Sequence, residues 1–339
     1  MGCIIALAIG LISIIIGIIL GGWCYLLIPA PFLALFTWIG WSRFRQRTGK
    51  SLKRWLWAQL GWGHSLAELA RRLGMDEGSL RACIPCYREV EIPKRCGGMR
   101  KLQVPDPQTM AMQRTILHRL LGRLSAHPAA HAYERNRSIV TQARLHTGKA
   151  LILKMDVIDF FPSTTSKRIE RYFRGIGWNR SAARLLVRLT CLNGGLPQGA
   201  PTSPRLANLV NFQLDTVISG IASRFKGTYT RYADDITISF PEDWPKKSRG
   251  IITGVRRAFR RVGYRIHGPP KLGIFRSHQR QLVTGLVVNQ GIHLPRERRR
   301  WLRAVLHHQR TQQATTITKA QIAGWVAYNR MIENGTEKK

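Results

Sequence analysis

Three aspartates carry the chemical interest of this sequence. Asp234 and Asp235 are adjacent, and they lie between Tyr229–Tyr232 and Ile236–Phe240, two short runs rich in Tyr, Thr and Ile. Residues of these types favour strands and an Asp-Asp pair favours a turn, so the stretch predicts a β-hairpin with carboxylates at its tip. Ile236, Ile238 and Phe240 alternate with Thr237 and Ser239, which buries one face and holds the tip rigidly. Asp156 closes a second apolar run, Ala150–Met155, that reads as a buried strand. A carboxylate there costs stability unless it is paired or bound to metal. If both elements join one sheet the carboxylates converge, and they cannot all ionise without cations. Hard oxygen ligands select Mg²⁺, and two such ions form the clamp for in-line phosphoryl transfer: one activates an attacking hydroxyl, the other steadies a leaving pyrophosphate.

The elements that must hold these residues follow from periodicity. Ser51–Arg81 reads as helix, and LAELARRLGMDEGSL within it has the look of a helix-turn-helix. Tyr87–Val104 reads as two strands around Gly97-Gly98, with Lys94 and Arg100 placed to fold over a triphosphate. Met110–Leu124 is an amphipathic helix. After Asp156 the chain turns at Pro162 and starts another helix near Thr165; Ser181–Leu192 is a further one. The loop GGLPQGAPTSP, 194–204, is stiffened by its prolines, and Ser203-Pro204 supplies an N-cap and first residue for a helix running to Ile221. Ser248–Val262 is a basic helix, Lys271 lies in a Gly/Pro-rich connection, Arg280–Ile292 is a strand pair around Val283-Thr284-Gly285, and Arg296–Arg310 and Ile317–Ile332 are closing helices.

Composition narrows the partner. In 339 residues there are 54 Lys plus Arg against 18 Asp plus Glu, a formal net charge of +36, which implies a polyanion and above all nucleic acid. The six cysteines form no regular framework, as in a reducing compartment. Residues 1–41 contain no charged side chain, and Arg43, Arg45, Arg47, Lys50, Lys53 and Arg54 follow at once. That predicts a transmembrane α-helical segment, as one span or a two-helix hairpin, with the basic remainder cytoplasmic.

The motifs together resemble those of reverse transcriptases. Tyr232-Ala-Asp-Asp235 resembles their catalytic box, Asp156–Phe161 their first aspartate motif, and Gln198–Pro204 their template- and nucleotide-contacting loop, in the same order. Within that family the chain looks most like a retron-type bacterial enzyme. Leu282–Asn289 resembles the Val-Thr-Gly element thought to grip the cognate RNA, and Thr141–His146 resembles Asn-Ala-x-x-His with Gln142 in place of asparagine.

The resemblance implies an α+β right-hand polymerase with fingers 87–149, palm 150–275, and thumb with RNA-binding region 276–339; ahead of these the sequence pattern sets a basic linker and helical extension 42–86 and the transmembrane segment 1–41, which departs from the family pattern. It implies two Mg²⁺ ions on Asp156, Asp234 and Asp235; Phe161 as steric gate against a ribose 2′-OH; Gln198, Lys94 and Arg100 on the incoming nucleotide; and Lys271 as general acid. RNA contacts would come from Gln142, His146, Val283, Thr284 and Gly285. The resemblance implies dNTPs, a non-coding RNA template with its DNA product and an accessory effector in anti-phage defence as partners; the apolar segment 1–41 adds the bacterial inner membrane. A group II intron-like or abortive-infection enzyme is the alternative within polymerases, and an inactive RNA-binding membrane effector the alternative outside them.

Overall fold

The computed structural model describes residues 63–93, 97–243, 245–311, 313–315 and 317–337. The expected membrane segment 1–41, most of the linker after it, and Lys94 lie outside the described residues. Among the described residues no helix is long and apolar enough to cross a membrane.

These residues fall into two compact units. In the smaller, residues 63–65 meet Phe173–Ala183: His64 N–H donates to the Gly177 carbonyl at 2.7 Å, and its ring lies 5.2 Å from that of Trp178. The larger holds the sheet and every residue of the candidate site.

The chain runs α1 (Leu66–Leu73), α2 (Glu77–Ala82), β1 (Tyr87–Pro93), β2 (Met99–Pro105), α3 (Pro107–Thr115), α4 (Ile139–Arg144), β3 (Leu151–Ile158), α5 (Ser166–Gly175), α6 (Arg180–Thr190), α7 (Ser203–Val210) and α8 (Phe212–Ser223). It continues with β4 (Thr228–Tyr232), β5 (Asp235–Phe240), α9 (Ser248–Arg261), β6 (Arg265–Ile266), β7 (Gly273–Arg276), β8 (Leu282–Val283), β9 (Leu286–Val287), α10 (Arg296–Arg310) and α11 (Lys319–Glu337). Local chemistry sets several boundaries. Asp106 caps α3 by accepting from Thr109 N–H at 2.8 Å, and Ser138 with Thr141 forms a capping box on α4.

A five-stranded antiparallel sheet in the order β4-β5-β3-β6, with β7 also on β3, is the centre of the larger unit. Leu151, Leu153, Met155 and Val157 of β3 and Ile236, Ile238 and Phe240 of β5 point to one face and are buried. α8 lies on that face, where Asp215 meets Tyr229 and Arg231 of β4. The opposite face carries Asp156 at one end. At its other end Ile152 packs with Val140 and Ala143 of α4, with Val283 and Leu286, and with Ile332 of α11.

Three expectations change. The helix expected over Met110–Leu124 starts at Pro107, because Asp106 caps it there, and after Thr115 it widens to a π-turn at Ile116–Leu120. The helix expected from Ser203 to Ile221 is two helices that break at Asn211, whose side-chain amide is drawn inward to Ala207 O and the Tyr264 hydroxyl. Ser203 is not its cap; its hydroxyl donates to Pro197 O at 2.7 Å. The connection carrying Lys271 also contains strands β6 and β7, which complete the sheet on the free edge of β3.

Candidate active site

Asp156 and Asp235 are direct partners in the β3–β5 ladder, so both side chains leave the same face. Asp234 sits in the two-residue turn between β4 and β5, where Ala233 takes left-handed backbone at φ 56°. Val157 N–H donates to the Asp234 carbonyl at 3.1 Å and ties the turn to the end of β3. The predicted hairpin is therefore present, with Asp235 opening its second strand.

Lys271 arrives by a gap in strand pairing. β6 covers Val157 and Ile158 and β7 covers Leu151–Lys154, so the connection between them bulges beside Asp156. There Lys271 Nζ donates to Asp156 Oδ2 at 2.5 Å and lies 3.3 Å from His267 Nε2. That hydrogen bond raises the lysine's pKa, which keeps it protonated. Burial pushes the Asp234 and Asp235 carboxyls above the usual carboxylate range, and neighbouring carboxylates add to it: Asp156 and Asp235 around Asp234, Asp156 around Asp235.

Among the described residues no three His, Cys, Asp or Glu side chains stand together as a finished metal cage, and Asp156 as it stands faces an ammonium. The donor chemistry still fits a hard divalent cation. It consists of carboxylate oxygens only, partly buried, whose repulsion Lys271 does not cancel.

The walls come from three segments. Phe161 follows the sharp turn at Asp159 (φ 45°), half-buried, with its ring centroid 5.4 Å from Phe160 and 6.5 Å from Tyr133. The loop 194–204 is pinned by its backbone: Leu196 N–H donates to Phe161 O at 3.2 Å, and Gln103 N–H of β2 donates to Gln198 O at 2.8 Å. Gly195 and Gly199 permit this approach, since a Cβ would stand 2.1 Å from Pro162 O and 2.8 Å from Gln103 O respectively. Gln198 is half-buried, and Arg100 is exposed on β2.

A buried pair that the sequence reading missed supports the catalytic turn. Arg231 is 0% exposed and bonds Asp215 through both ends of its guanidinium, Nε to Oδ1 at 2.9 Å and Nη2 to Oδ2 at 2.7 Å. Its third nitrogen donates to Asn208 Oδ1 at 3.1 Å and to the Ala233 carbonyl at 3.2 Å, inside the turn that presents Asp234. Its charge also lies 5.4 Å from the Phe160 ring. The available signal was an acid, Asp215, on the apolar face of a helix.

The residues expected to contact RNA divide by burial. Gln142, His146 and Val283 are each 0% exposed, and their side chains meet protein. His146 bridges Ser239 Oγ and Thr230 Oγ1, both at 2.7 Å, and Gln142 donates to Thr230 Oγ1 at 2.9 Å. These bonds fasten α4 to the sheet. Thr284 and Gly285 form the tight turn of the β8–β9 hairpin with φ 45° and 84°; Gly285 is exposed and Thr284 half-buried.

Comparison with known proteins agrees with this geometry. The family model described as reverse transcriptase (RNA-dependent DNA polymerase) matches residues 92–280. The retron Mx162 reverse transcriptase of Myxococcus xanthus is 35% identical over 287 residues, covering 73% of this chain and 59% of that protein. The retron Mx65 reverse transcriptase of the same organism is 33% identical, covering 78% and 67%. The retron Ec86 reverse transcriptase of Escherichia coli is 32% identical, covering 71% and 74%. Reverse transcriptase domains have a right-hand polymerase fold and generally use divalent metal ions. The chain thus belongs to the reverse transcriptases, the RNA-directed DNA polymerases, and among them to the retron type.

Proposed function

We propose that this chain copies a cognate non-coding RNA into DNA, priming on an RNA 2′-OH to give a branched RNA–DNA hybrid that serves in anti-phage defence. The observation that carries the polymerase reading is the register of Asp156 on Asp235 with Asp234 in the adjoining turn. Fingers 87–149, palm 150–275 and thumb 276–339 are the corresponding subdomains.

Two Mg²⁺ ions, when bound, supply activation of the primer hydroxyl and charge neutralisation at the leaving pyrophosphate. Asp156 and Asp234 hold them and Asp235 completes the acidic site. Lys271 carries the proton that the pyrophosphate takes up; its pairing with Asp156 and its raised pKa support this role. The Phe161 ring fills the space a ribose 2′-OH would need. Gln198 meets the nucleotide, and Arg100 and Lys94 its triphosphate. Residues 1–41 anchor the enzyme to the inner membrane with the polymerase in the cytoplasm, where an accessory effector reads the state of the hybrid.

The test is extension of a primed RNA template by purified protein with dNTPs and Mg²⁺, together with sequencing of nucleic acid that co-purifies. We expect extension, its loss in Asp234→Ala, and a branched species in the co-purified pool. Extension that persists in Asp234→Ala would overturn the site assignment, and an unbranched pool the priming reaction.

A further inference from the structure

Tyr133 belongs to none of the motifs above, and its setting is unusual. It is a large aromatic residue left 56% exposed, and its backbone takes φ 61°, a region that bulky side chains rarely occupy. Backbone strain of this kind persists only where the surroundings impose it, and it concentrates at functional sites.

The surroundings impose it from both sides. Upstream, the segment zips in parallel onto the edge of β4: Arg231 N–H donates to Ala129 O and His131 N–H to Arg231 O, both at 2.8 Å. Downstream, Glu134 forms an ion pair with Arg205, and the Asn208 amide donates to Ala132 O at 2.8 Å and to Glu134 Oε1 at 2.9 Å. Arg205 and Asn208 both belong to α7, the helix that follows the Gln198 loop. The bridge between Ala130 and Arg231 sets this segment beside β4 just before the Ala233-Asp234 turn, and the chain then turns at Ala132 and Tyr133. Its ring centroid lies 6.5 Å from that of Phe161, inclined at 54°. Partial burial, and after it the Asp234 carboxylate, push the Tyr133 hydroxyl upward, in keeping with that placement.

The geometry points to Tyr133 as a nucleotide-positioning residue: its exposed ring is the platform on which the base of the incoming deoxynucleoside triphosphate stacks, facing the Phe161 ring. The proposal rests on the polymerase reading. Every base offers a π-face, so the platform serves all four nucleotides alike, and template pairing is left to choose among them.

Steady-state single-nucleotide incorporation on a primed RNA template tests this, with affinity for the primed template measured separately. Tyr133→Leu raises KM for each dNTP roughly tenfold, the scale of one lost base–aromatic stack, while Tyr133→Phe stays near wild type and primed-template affinity is unchanged. Tyr133→Gly guards against misfolding, because glycine relieves the positive φ: its melting temperature equals or exceeds that of wild type while its KM rises as in the leucine variant. Extension by wild type with an unchanged KM in both the leucine and glycine variants overturns the platform alone, and so does a defect confined to primed-template binding. A wild-type protein that does not extend overturns the polymerase reading and the platform with it.

Discussion

Arg231 shows how much of this site depends on one side chain that never meets solvent. Its guanidinium joins α8 through Asp215, α7 through Asn208 and the catalytic turn through Ala233 O. Removing one partner of a fully buried pair leaves the other charge unpaired, which outweighs the pair's own net contribution. Arg231→Met therefore destabilises the protein by about 3–5 kcal/mol, read from denaturant midpoints. Asp215→Asn has the same sign, and a change below about 1 kcal/mol in both would show the pair to be dispensable. Neither partner is legible as such in the sequence. Arg231 stands in a strand and Asp215 in the preceding helix, and only their packing makes them neighbours.

At the scale of elements, the hairpin β4–β5 and strand β3 were readable from strand-forming residue types and period-two alternation, although the polar face of β5 is buried too, with Thr237 and Ser239 both inside. The fastening of α4 was not. Gln142 and His146 read as RNA contacts through family resemblance, whereas both are interior polar residues satisfied by Thr230 and Ser239 of the sheet. Burial holds the His146 imidazole neutral, with its pKa lowered to about 3, and that of His131 lowered to about 4. Below pH 6.5 the unfolded chain binds protons that the folded chain refuses, so stability from these histidines is complete at neutral pH and is lost as pH falls toward 4 and then 3. The slope approaches about 1.4 kcal/mol per pH unit for each. Raised carboxyl pKa values at Asp234 and Asp235 act in the opposite sense, favouring the folded state as they protonate. The comparison of wild type with His146→Gln isolates the histidine: wild type melts higher at pH 7.5, and the gap closes with acid. A gap independent of pH would place the titration elsewhere.

For the whole molecule, a net charge of +36 and the arginines of α10 make salt-sensitive nucleic-acid binding the expected behaviour. The uncharged stretch 1–41 sets that basic body against an apolar one. As a hypothesis, full-length protein sediments with membranes and resists a high-salt wash, whereas a chain lacking 1–41 is released. Salt alone releasing the full-length protein would reduce the attachment to charge.

What this sequence determined by itself is the chemistry of the carboxylates. An acid closing a buried strand and two in a hairpin turn carry a meaning that local pattern states directly, because strand periodicity and turn propensity are short-range properties. What only the tertiary structure decided is which residues serve those carboxylates. Lys271 reaches Asp156 through a gap in pairing along β3, Glu134 beside Tyr133 is held by Arg205 of α7, and Arg231 ties α8 to the catalytic turn through Asp215 and the Ala233 carbonyl. Those relations depend on burial and on contacts between residues far apart in the chain, which side-chain type and spacing do not encode.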